Sequence, residues 1–121
     1  MKKLVIYSFV ILFLACAGNQ DLSHTETAKI VVEGFYQGDE AKLREYTTTE
    51  SYANFKSLQD MFAEAKNSDS NFKVIDDTSD GEVAWVKFTT SYEKKPSIFK
   101  LVKEDGQWKV TERKPREEVP F

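Results

Sequence analysis

The sequence predicts an α+β domain in which three N-terminal helices pack on a curved four-stranded antiparallel sheet. Three observations predict it. Apolar residues recur at three-and-four spacing from Ala28 to Ala65, the period drops to two from Phe72 onward, and Gly- or Pro-bearing turn dipeptides separate the alternating segments. A length of 121 residues with 40% hydrophobic and 31% charged side chains suits one core and argues against a disordered or fibrous chain.

The first helix is predicted to start at Ser23, because Ser23 and Glu26 have the SxxE spacing with which each side chain satisfies the other residue's backbone N–H. Ala28, Val31, Val32, Phe35 and Tyr36 form its buried face, and Gly38 is placed to end it in a left-handed conformation. Asp39 is positioned to cap a second, short helix whose apolar residues are Ala41, Leu43 and Tyr46, ending in the β-branched run Thr47, Thr48, Thr49. Thr47 and Glu50 offer a further capping box. Tyr52, Phe55, Leu58, Phe62 and Ala65 then mark a third helix running to about residue 66.

Phe72 and Val74 alternate with polar neighbours and predict the first strand. Residues 83–92 are rich in β-branched and aromatic side chains, with Ala84, Val86, Phe88, Thr90 and Tyr92 sharing one face. Residues 97–103 and 107–113 supply the last two strands, joined by Asp105-Gly106, a dipeptide suited to the positive φ angles of a tight hairpin. Asp80-Gly81 and Lys95-Pro96 are read as the other two turns, so the sheet is predicted to be a meander. Residues 114–121 carry two prolines and mixed charge and are expected to be an irregular tail.

The front end specifies an address. Lys2 and Lys3 precede a twelve-residue apolar run, Leu4 to Ala15, too short to cross about 30 Å of hydrocarbon and of the length of a signal peptide. Phe13, Leu14, Ala15 and Cys16 resemble the acylation site of bacterial lipoproteins, which implies that residues 1–15 are a signal peptide, that Cys16 is lipidated and that residues 16–24 form a tether. That makes a protein anchored to a membrane of the bacterial cell envelope. Ala15, Cys16 and Ala17 also have the small-x-small spacing of ordinary signal cleavage after Ala17, which would leave a secreted or periplasmic protein. Removing Lys2 and Lys3 takes the formal charge from −3 to about −5, a balance that does not suit nucleic acid.

The order of elements, with "VVEGFYQGDEAKLREYTTTE" leading and "LVKEDGQWKV" closing, resembles the nuclear-transport-factor-2-like, cystatin-like superfamily, and within it small bacterial lipoproteins of unknown function. The resemblance covers residues 25–113. It implies a cone whose sheet and helices enclose an apolar pocket, used for isomerase or dehydratase chemistry in some members and for binding alone in others. The hairpin usual between the second and third helices of that family is missing, which implies a shallower or differently closed cavity.

Isomerase chemistry needs a carboxylate base and hydrogen-bond donors in a dry pocket. Parity places Glu82 at the mouth of one strand and groups Glu112 with Trp108 and Val110 on another, making Glu112 the best carboxylate and Tyr92 or Tyr36 the best donor. An end-of-strand glutamate is usually solvated, however, so no residue is assigned a catalytic role. Tyr36, Tyr52, Phe88, Tyr92, Trp108 and Glu112 are the expected ligand-facing set.

His24, the sole histidine, has no cysteine or second histidine at ligand spacing, so neither metal nor cofactor is expected there. Asp76, Thr78 and Asp80 mimic half of a calcium loop, but the position of the obligatory bidentate acid holds Lys87, so the segment reads as a turn. Residues 21–70 hold ten acids and five bases whereas residues 87–116 hold nine bases and four acids, a polarity able to orient the domain toward an anionic surface or partner. Lys94, Lys95 and Lys100 also protect strand edges, and Trp85, on the parity opposite Phe88, is the aromatic that core packing leaves over. The expectation is a membrane-tethered, non-enzymatic module binding a small apolar ligand or an envelope protein. The alternatives are a small isomerase- or dehydratase-like enzyme and a structural subunit.

Overall fold

The computed structural model describes residues 22–62 and 69–121. The signal segment, Cys16, most of the tether and the expected end of the third helix at residues 63–66 lie outside the described residues. Three helices, α1 (His24–Gln37), α2 (Glu40–Tyr46) and α3 (Thr49–Phe62), precede four strands, β1 (Lys73–Ser79), β2 (Val83–Thr90), β3 (Glu93–Glu104) and β4 (Gln107–Thr111). The strands form an open antiparallel sheet in the order β1-β2-β3-β4. The chain is thus α+β, as its change of period predicts.

Local chemistry sets the helix ends where it was expected to. The Glu26 amide donates to Ser23 Oγ at 3.1 Å while the Ser23 amide donates to Glu26 Oε1 at 3.2 Å, completing the capping box. Gly38 closes α1 at φ 78°, and the Asp39 carboxylate caps α2 by accepting from the Lys42 amide at 3.2 Å. The second capping box does not form. Thr47 Oγ1 donates back to Leu43 O at 2.5 Å and Thr48 Oγ1 reaches Thr111 Oγ1 at 3.1 Å, so α3 starts at Thr49 with its preceding threonines serving other elements. The link between α2 and α3 is instead clamped to β4. Thr48 N donates to Val110 O at 3.0 Å, and Ser51 Oγ meets Thr111 Oγ1 and accepts from the Glu112 amide, both at 3.1 Å.

The core lies between this helical layer and one face of the sheet. Ala28 and Val31 of α1, Leu43 of α2, Ala84 and Val86 of β2, Leu101 of β3 and Val110 of β4 are all completely buried, joined by Val32, Phe88 and Trp108. Each full burial of a side chain of valine size or larger stabilises by about 1.5–3 kcal/mol, so this two-layer contact is the main force holding the fold. Gln59, 5% exposed, adds a polar tie: its Nε2 donates to the Gly34 and Phe35 carbonyls at 3.1 Å, fastening α3 to the end of α1.

Three strand boundaries differ from the sequence expectation. β2 stops at Thr90 and β3 starts at Glu93, so the turn is Ser91-Tyr92 and not Lys95-Pro96. The pairing shifts between Phe88 and Thr90, and Ser91 is held by its amide to Ser70 O (2.7 Å) and its hydroxyl to Asp69 O (2.6 Å). Pro96 is accommodated inside β3 because β4 pairs only from Lys100 onward, leaving this half of β3 a sheet edge where the missing N–H breaks no ladder on that side. β4 ends at Thr111, two residues early, which puts Glu112 outside the sheet. The other turns form as predicted. Asp105 and Gly106 take φ 52° and 78° between the paired Glu104 and Gln107. Asp80 Oδ1 accepts from the Glu82 and Val83 amides at 2.9 and 2.8 Å, bonds that hold its carboxyl below the usual carboxylate range.

Trp85 points to the sheet's other face yet is only 9% exposed. Its cross-strand neighbour Lys100 lies over the ring with Nζ 5.8 Å from the centroid, and Trp85 shares the lining of a surface hollow with Glu118, Val119 and Pro120. The C-terminal tail is irregular, as expected, but folds back across the outer face. Lys100 Nζ donates to both Glu117 carboxylate oxygens at 2.7 and 2.9 Å, and the Lys114 amide donates to Glu117 Oε1 at 3.0 Å. The Lys100 hydrogen bond, then the Lys114 amide, hold the Glu117 carboxyl below its ordinary range. A carboxyl lowered on folding stabilises the docked tail fully above its unfolded range and loses that contribution as the pH falls through the lowered value. Acidification is therefore expected to shift Trp85 emission to the red at the acid end of the carboxylate range, and Glu117→Gln to remove that transition; an emission maximum independent of pH would contradict the tail contact.

Candidate functional site

The helical layer does not fill the space over the sheet completely. Val31, Val32, Phe35 and Tyr36 of α1, Phe55 and Leu58 of α3, Phe88 and Thr90 of β2, and Glu93, Ser97 and Phe99 of β3 surround a cavity of about 160 Å³. Helical spacing puts the α1 residues on one stripe, and alternation puts Glu93, Ser97 and Phe99 on one face of β3. A chain of rings lines it: Phe88 and Phe99 have centroids 4.9 Å apart and Phe99 and Phe55 6.3 Å, while Phe72, not part of the lining, packs on Phe88 at 5.1 Å.

Polar groups gather at the mouth. The Tyr36 hydroxyl donates to Glu93 Oε1. Tyr36 packs edge-on to Phe35 with centroids 5.0 Å apart and against Tyr92 at 4.9 Å, while Gln37 Nε2 donates to the Tyr92 hydroxyl at 3.2 Å. Burial, then the hydrogen bond to Glu93 and its negative charge, drive the Tyr36 phenol far above its ordinary range. The phenol is therefore a fixed donor and the carboxylate its acceptor.

The six expected ligand-facing residues separate. Tyr36 and Phe88 line the cavity, and Tyr92 stands at its rim against Tyr36. Tyr52 turns toward α2, where its hydroxyl donates to Glu40 Oε1 at 2.9 Å and accepts from Arg44 Nη2 at 3.3 Å. Trp108 belongs to the packed core at 7% exposure, edge-on to His24 with ring centroids 5.6 Å apart. Glu112 is exposed beyond β4 and accepts from Asn54 Nδ2 at 2.7 Å, so the best sequence candidate for a buried carboxylate is a surface residue.

No family model matches the chain, and no curated protein or solved structure is significantly similar to it.

Glu93 is the charged residue that the sequence reading missed. The signal that would have found it is the strand boundary: once β3 starts at Glu93, its parity with Ser97 and Phe99 brings it to the cavity. His24, expected in the tether, is the first residue of α1, and its Nε2 lies 2.6 Å from Asp77 Oδ2 of β1. The pair ties the helix start to an edge strand. Among the described residues no cluster of three metal-ligating side chains occurs, and no helix is long and apolar enough to cross a membrane.

A hollow of this volume has room for a molecule of about benzene's dimensions, and among the described residues the one carboxylate lining it lies at the exposed rim, engaged by a phenol.

Proposed function

We propose that this chain is a lipid-anchored envelope protein whose domain, a nuclear-transport-factor-2-like cone, binds a small apolar ligand without transforming it. One observation carries the binding reading: the apolar cavity between α1, α3 and the sheet, walled by Phe35, Phe55, Phe88 and Phe99. The short apolar leader ending at Cys16 supports the anchor. Several acyl chains on one sulfur would hold the domain at a lipid surface, each buried methylene contributing about 0.8 kcal/mol. Lipid surfaces concentrate small apolar molecules, so anchor and cavity serve one purpose.

An isomerase or dehydratase needs a base shielded from water and aimed at substrate. Glu93 is exposed and accepts the Tyr36 hydrogen, and Glu112 lies outside the cavity, which favours binding over catalysis.

Ligand-observed NMR on the full chain in detergent is expected to show saturation transfer to toluene. The signal is expected to vanish in Leu58→Trp, because Leu58 lines the cavity at 37% exposure and a larger ring there fills it without entering the core. Toluene that the wild type does not bind, or that Leu58→Trp binds equally well, would overturn the reading. For the anchor, intact mass of the native protein is expected to show acyl chains on an N-terminal Cys16; a polypeptide starting at Gly18 without them would refute it.

A further inference from the structure

Resting on the cavity reading above, we infer that the natural ligand is a small aromatic or branched-alkyl amine whose apolar body enters the cavity and whose ammonium group docks on Glu93. Four of the cavity's rings, those of Phe35, Phe55, Phe88 and Phe99, carry no polar group, so they recognise shape and apolar area only. Orientation falls to Thr90, Ser97, Tyr36 and Glu93. The Tyr36 hydrogen points at Glu93 Oε1, so the phenol is already committed as a donor.

Among the described residues Glu93 is the one charged side chain lining the cavity, and among them it forms no ion pair. Lys95 shares its strand parity but does not line the cavity. Oε1 is held by Tyr36, and among the described residues nothing bonds to Oε2. The rim thus presents a negatively charged acceptor, fixed by a phenol, directly above an apolar hollow. A ligand ammonium supplies a positive donor, a neutral ligand leaves the carboxylate to water, and a ligand carboxylate meets like charge.

The test uses three probes of one shape, benzylamine, toluene and benzoate, titrated against the full chain in detergent at neutral pH and low salt. Benzylamine is expected to bind at least about fivefold more tightly than toluene, the scale of a rim-exposed charge pair, and benzoate more weakly than either. Added salt is expected to narrow the benzylamine advantage. Glu93→Gln is expected to abolish that advantage, so that the variant binds benzylamine no more tightly than toluene. Equal affinity for benzylamine and toluene, benzoate binding as well as benzylamine, or a preference that survives Glu93→Gln would each overturn the amine assignment and leave the cavity reading standing. If none of the three binds, the cavity reading itself fails and this assignment with it.

Discussion

Replacing Phe88 with alanine is expected to lower stability by about 3–5 kcal/mol, read as a fall in the urea midpoint at an unchanged slope. The side chain is 1% exposed and sits between the rings of Phe72 and Phe99, with centroids 5.1 and 4.9 Å away. Removing it deletes both ring contacts and extends the existing cavity, and β2, paired on both edges, leaves the surroundings little freedom to collapse into the space. A domain of this size has about 5–15 kcal/mol in total, so the variant is expected to be near its folding threshold. Because Phe88 also lines the cavity, toluene is expected to restore part of the lost midpoint by binding only the folded state. A loss below about 1 kcal/mol would show that Phe88 is not central to the core.

Truncation after Arg113 is expected to be the other large effect. Removing residues 114–121 takes Glu117 from Lys100 and uncovers Trp85, which is 9% exposed although it faces away from the helical layer. Re-exposing a large apolar side chain costs about 1.5–3 kcal/mol at most, and the tryptophan emission maximum is expected to move to longer wavelength. The same truncation made in a Trp85→Phe background is expected to leave the emission unchanged, since Trp108 lies 7% exposed on the opposite face of the sheet. An unshifted spectrum in the otherwise native truncation would mean that the tail does not cover Trp85.

These effects differ in how far the sequence foretold them. Phe88 was legible, because alternation with Ala84 and Val86 assigned it to the buried face without reference to any partner. The covering of Trp85 was not: its parity marked it as left over, and its shield comes from residues about thirty positions later with no apolar periodicity of their own. Glu93 was missed for a different reason. Lys95-Pro96 carries a genuine turn signal, which loses because this part of β3 is a sheet edge and because Ser91 is held by Ser70 and Asp69. Glu112 was mistaken in the converse direction, since alternation carries a strand pattern past the point where pairing stops at Thr111.

By itself the sequence determined the helix starts at Ser23 and Asp39, the end at Gly38, the hairpin at Asp105-Gly106 and the buried faces of α1 and β2, whereas Ala41 of α2 and Leu58 of α3, expected to be buried, are exposed. Each of these depends on atoms within about four residues along the chain, or on a period that one element repeats within itself. Only the tertiary structure decided which aromatic rings share a cavity, that Glu93 stands at its mouth beside Tyr36, and that the tail closes over Trp85. Those juxtapositions depend on strand register, where a one-residue shift moves every side chain to the other face, and on contacts between segments that carry no local record of one another.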